Sequence, residues 1–151
     1  MVTKVQYDLI LKNGTVVLPK KTVKVDIGVK DEHIHTISNL SECTTECCAD
    51  NVIDCEGLHI LPGVIDSQVH FREPGLENKE NLESGMKAAA AGGVTAVFEM
   101  PNTNPLTITP ETIIDKLKRA SRVPWTDYAF YLGGTGRTGP NLPDWENAPG
   151  I

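Results

Sequence analysis

From Leu61 onward this chain alternates short apolar runs with helix signals, and that alternation restricts the fold more than any other feature. Leu61-Pro62-Gly63-Val64-Ile65 reads as a turn leading into a buried strand. Residues 79–91 suit a helix, with Glu80, Glu83 and Lys87 as good formers, four alanines near its end and Gly92-Gly93 as the stop. A second strand is predicted over 94–100. Thr109-Pro110-Glu111 then opens another helix, with Thr as cap and Pro at the first helical position, running to about Arg122 with Ile113, Ile114 and Leu117 on one face. Residues 127–132 form a third strand, and the Gly/Pro-rich remainder reads as loop or short helix. Repeated strand–helix–strand units imply a parallel sheet, so the fold class is α/β.

Polar residues gather where these strands end. In Asp66-Ser67-Gln68-Val69-His70-Phe71-Arg72-Glu73-Pro74-Gly75, strand alternation puts Asp66, Gln68, His70 and Arg72 on one face and Ile65, Val69 and Phe71 on the other. Burying such polar groups unpaired would cost free energy, so one face is packing and the other chemistry. Asn102 and the glycines after Leu132 occupy the corresponding strand ends, where barrels and open α/β sheets place their sites.

The first sixty residues follow a different grammar. Alternating runs at 7–12, 15–18, 23–30 and 33–37, with later ones at 52–53 and 58–61, predict a small antiparallel β layer. Asn13-Gly14 should close a hairpin between the first two. Residues 38–50 read as a loop. The expected division is therefore 1–60, a β domain, and 61–151, an α/β domain. Cys43, Cys47, Cys48 and Cys55 match no paired C-x2-C zinc pattern and read as reduced cysteines in and beside that loop. A net charge of −6 argues against a nucleic-acid surface and offers no basic patch for a membrane. With neither a signal segment over 1–8 nor an apolar run near the roughly 20 residues of a membrane span, a cytoplasmic location is expected.

Over 61–106 the chain resembles the dihydroorotases of the amidohydrolase superfamily, whose signature is P-G-x-I-D-x-H-V-H-F-R-E-P-G. Later family landmarks recur in order: Lys79-Glu80 with Gly85, Ala89 to Thr95 within the family's A-A-A-x-G-G-x-T, and Met100-Pro101-Asn102-Thr103-Asn104-Pro105. The resemblance implies a TIM (β/α)8 barrel of the metal-dependent hydrolase type with a flanking small β-sandwich. Such a barrel takes roughly 250 residues, so this chain should carry only the sandwich strands and the first two to three barrel units. It further implies zinc, one or two ions per full-length chain, and reversible hydrolysis of dihydroorotate to carbamoyl aspartate in pyrimidine biosynthesis. His70 matches the second histidine of the H-x-H zinc pair, Arg72 the arginine that holds the substrate carboxylate, and Asn102 the asparagine that assists it. A guanidinium fork suits a carboxylate bidentately. The general-base Asp and the remaining ligands are expected beyond Ile151. A homodimer is implied, with aspartate transcarbamoylase as a partner in some lineages.

One position departs from the family. Gln68 stands where the first histidine belongs, and a neutral amide oxygen is a weak or absent zinc ligand. Either the second metal is held weakly in an active enzyme, or the chain belongs to a silent scaffold for a partner enzyme. The Arg72–Asn102 pair favours activity. Related cyclic amidohydrolases form the remaining alternative: allantoinases usually read H-F-N-E-P-G and M-P-L-N, and hydantoinases diverge further. Elsewhere the plainer readings prevail. His33 and His35 are solvent-facing strand residues, His59 is a surface side chain, Asp66 a local acceptor or orienting carboxylate, and Glu73 a loop anchor before Pro74. Gly133-Gly134-Thr135-Gly136 lacks the lysine of a phosphate loop.

Overall fold

The computed structural model describes residues 5–40, 49–123 and 125–145. The chain divides between Pro62 and Gly63 into two compact units, Met1–Pro62 and Gly63–Ile151, slightly later than the expected boundary at 60.

The first unit is built from β1 (Tyr7–Lys12), β2 (Thr15–Leu18), β3 (Lys21–Lys24), β4 (Asp26–Lys30), β5 (His33–Ser38), β6 (Ala49–Asp54) and β7 (His59–Ile60). These make two mixed sheets rather than one antiparallel layer, in the orders β5-β4-β1-β6 and β3-β2-β7. The expected hairpin is absent: β1 pairs β4 and β6, while β2 pairs β3 and β7. Asn13 does turn, at φ 61°, but its backbone amide goes to the Asp26 carboxylate at 2.8 Å and its side chain to Asp54 at 2.9 Å. The turn therefore passes the chain from one sheet to the other. The run 23–30 likewise splits at Val25, because buried Asp26 turns its carboxylate to the amides of Asn13 and Leu40. Alternation alone does not register such a crossing. Tyr7, Ile10 and Ala49 form the core here. Cys55 is a buried free thiol, while Cys43, Cys47 and Cys48 fall outside the described residues.

The second unit runs β8 (Val64–Val69), α1 (Leu82–Ala91), β9 (Val94–Glu99), α2 (Pro110–Ala120), β10 (Asp127–Phe130), a 3-10 turn (Gly139–Asn141) and α3 (Leu142–Trp145). Its sheet is parallel throughout, in the order β10-β9-β8. Helix α1 starts three residues late because Asn81 caps it, taking the Ser84 amide at 2.8 Å. Thr109 caps α2 with Pro110 in its first turn, as predicted. The core is Phe71, Leu82, Met86, Val97, Ile113, Ala120 and Phe130. Two expectations fail. Ile114 is 48% exposed, its place on the buried face of α2 being taken by Lys116. β8 is not buried: Val64 and Ile65 are 53% and 61% exposed, since β9 is the strand's one partner among the described residues.

Candidate functional site

The site grows out of the ends of β8 and β9. Val69 and Phe71 pack on the helix-side core, so alternation turns His70 between them to the opposite face. A register shift between Asp66 and Val69 stops that alternation from reaching Asp66 and Gln68, against the expectation that all of them share one face. The ladder continues one residue past β9, with the Met100 amide donating to the carbonyl of Val69, the last residue of β8, at 3.0 Å. That register places His70 opposite the loop after Glu99. Its Nδ1 lies 2.8 Å from Asn102 Oδ1. An amide oxygen accepts and does not donate, so Nδ1 carries the proton and Nε2 is the ring nitrogen left outside that bond. His70 is half-buried and Asn102 exposed, which leaves the couple open to a ligand.

Arg72 does not share that face by alternation, because the strand has already ended and its φ is 67°. Its direction is set instead by the loop that follows, which is firmly held. The Arg72 carbonyl accepts from Leu76 at 3.0 Å, and the Pro74 carbonyl from Asn104 at 2.9 Å. Gly75 sits at φ 91° with the Asn104 carbonyl where a Cβ would go, so no other residue fits. Glu73 anchors the loop as expected: one oxygen takes the Leu82 amide at 3.0 Å, the other Arg119 at 3.3 Å. Asp66 is a local acceptor, receiving the Gln68 amide at 3.1 Å.

Two functional candidates escaped the sequence reading. Glu99, ending β9, and Lys116, inside α2, form a fully buried ion pair at 2.6 Å. Burial pushes the Glu99 carboxyl up, opposed by Lys116, the Phe71 amide and the charge of His70. Burial also lowers the Lys116 ammonium, against the hold of Glu99. The available signal was a charge ending an apolar strand and an opposite charge inside the apolar face of the next helix.

The remaining positions contribute less. Gln68 is exposed. Among the described residues no three His, Cys, Asp or Glu side chains gather as a metal site. One imidazole with a neighbouring amide does not fit a catalytic zinc centre, which uses about three protein ligands. A cavity of about 670 Å³ beside β10 is lined by Phe98, Tyr131, Leu132, Leu142 and Pro143 among others, but by none of Gln68, His70, Arg72 or Asn102. Its apolar lining offers little to orient a polar ring. His33, His35 and His59 are exposed in the first unit. No helix among the described residues is long and apolar enough to cross a membrane.

A family model described as "Dihydro-orotase-like" matches residues 57–135, just over half of the sequence and all of the site. The chain belongs to the dihydro-orotase-like family. Within it, the chain is 42% identical over 130 residues to an allantoinase of Desulfitobacterium hafniense, covering 85% of this chain and 28% of that protein. It is 38% identical over 129 residues to an allantoinase of Bacillus velezensis, covering 84% and 27%. Among solved structures, the L-hydantoinase (dihydropyrimidinase) of Arthrobacter aurescens superposes with a TM-score of 0.86 at 33% identity, over 95% of this chain and 31% of that one. The chain thus spans under a third of the length of these relatives. Their names denote hydrolases of cyclic amides. They fit the allantoinase and hydantoinase alternative better than dihydroorotase, so Arg72 and the Asn102-Thr103 pair did not separate these cousins in sequence.

Proposed function

We propose that the protein carrying this chain opens a cyclic amide by hydrolysis, with a hydantoin-type ring as its substrate class. The observation that carries this is the His70–Asn102 couple, which holds one imidazole with Nε2 free at the carboxyl ends of adjacent parallel strands. The names of the relatives supply the substrate class. In this reading β8, β9 and β10 open a (β/α)8 barrel, and the first unit belongs to a flanking β-sandwich. His70 is the donor this chain offers toward zinc, and the other ligands would have to come from outside the described residues.

The test is a panel of hydantoin, allantoin, dihydrouracil and dihydroorotate given to the whole protein that carries this chain, with ring opening measured directly. Turnover of a hydantoin-type ring in preference to dihydroorotate is expected. Failure to open any of the four would overturn the proposal. Dihydroorotate is the second reading, favoured by Arg72 beside Met100-Pro101-Asn102-Thr103. Arg72→Met separates the two. A carboxylate held by a charged hydrogen bond is worth about 1.5–3 kcal/mol, so KM for dihydroorotate would rise roughly 10- to 150-fold. For a neutral ring KM should stay within about twofold, since no such bond is lost.

A further inference from the structure

A buried ion pair lies directly behind the strand ends that carry His70 and Asn102. Glu99 and Lys116 are 1% and 0% exposed and meet at 2.6 Å. The same ammonium donates to the Met100 carbonyl at 3.3 Å and stands 5.4 Å from the centre of the Phe130 ring. The ends of β9 and β10 therefore converge on it. The Glu99 carbonyl takes the Tyr131 amide at 2.9 Å, and the Val69 carbonyl takes the Met100 amide at 3.0 Å. Glu99 Oε1 is buried with no hydrogen-bond partner among the described residues. The carboxylate lies close enough to the Phe71 amide and the His70 ring for both to act on it.

Stability is a poor reason to keep such a pair, because apolar side chains of similar volume commonly replace buried ion pairs without loss. Apolar side chains cannot, however, hold a backbone carbonyl and a neighbouring carboxylate at fixed separation. We propose that the Glu99–Lys116 pair is a positioning device, fixing the ends of β8 and β9 so that His70 meets Asn102 in a single orientation, through Nδ1, with Nε2 left for another partner. Its consequence for catalysis rests on the cyclic-amide reading; its structural half does not.

The experiment compares the whole protein that carries this chain with its double variant Glu99→Leu/Lys116→Met, reading denaturant stability, the imidazole nitrogen shifts of His70, and ring-opening kinetics. A stable double variant in which His70 no longer shows one tautomer is expected. Its kcat should fall about 10- to 100-fold with KM little changed, the size typical of lost partners behind a functional histidine. A stable double variant with an unchanged His70 spectrum would overturn the proposal. Should the double variant fail to fold, Glu99→Asp decides, since it keeps the charge but withdraws the carboxylate by one methylene. A mixed tautomer there supports positioning, and an unchanged one sinks it. A native protein that opens no ring, yet loses its tautomer in these variants, would remove the cyclic-amide reading and leave the positioning role intact.

Discussion

At the scale of single residues, the His70–Asn102 hydrogen bond decides which ring nitrogen is available. Asn102→Ala should leave the fold intact and let His70 sample both tautomers, visible in the same nitrogen shifts. Gln68→His adds an exposed imidazole two residues before His70. It should raise zinc affinity about tenfold or more, measured by competition against a chromogenic chelator. The loop after β8 has its own acid dependence. Glu77 accepts the Gly75 amide at 2.9 Å, chiefly through which its carboxyl lies below the ordinary 4.5. A depressed carboxyl favours the folded loop above that value and gives up its contribution as pH falls through the folded-state value. The Gly75 amide should therefore titrate below 4.5, and Glu77→Gln should remove the transition. His70, Arg72 and Asn102 were all legible from sequence as strand-end residues. The direction of Arg72 was not, because a positive φ breaks the alternation on which that inference depended.

At the scale of elements, the helices hold the site loops from behind. Phe71 packs against Gly85 of α1 so closely that an added Cβ would strike its ring. Gly85→Ala should move Phe71 and, through it, the neighbouring His70. Met86 is fully buried in the same core, and Met86→Ala should cost roughly 2–5 kcal/mol in denaturant unfolding. Both helices, the parallel sheet and the cap at Thr109 could be read from periodicity and capping chemistry. The helix start at Leu82 could not, since Asn81 competes with the good helix formers before it by capping instead. The Asn13-Gly14 turn looked like a hairpin for a related reason. Local chemistry specifies a turn, but buried Asp26 decides where the next strand goes.

At the scale of the whole molecule, each unit has its own core, and the two are built on different sheet logic. The second carries the site, and its β8 shows apolar side chains and one edge unpaired among the described residues. In the proposed barrel further strands cover both. That a parallel α/β sheet should carry strand-end chemistry was legible; that it would be bolted by a buried Glu–Lys pair was not, because a lone charge in an apolar pattern announces its partner only in space. The central claim is that His70 belongs to a cyclic-amide hydrolytic centre. Its most direct measurement is hydantoin-type ring opening by the whole protein that carries this chain beside its His70→Ala variant, both confirmed folded. The account predicts turnover by the native protein and a loss of about 100-fold or more in the variant. Equal turnover by the two proteins would contradict it.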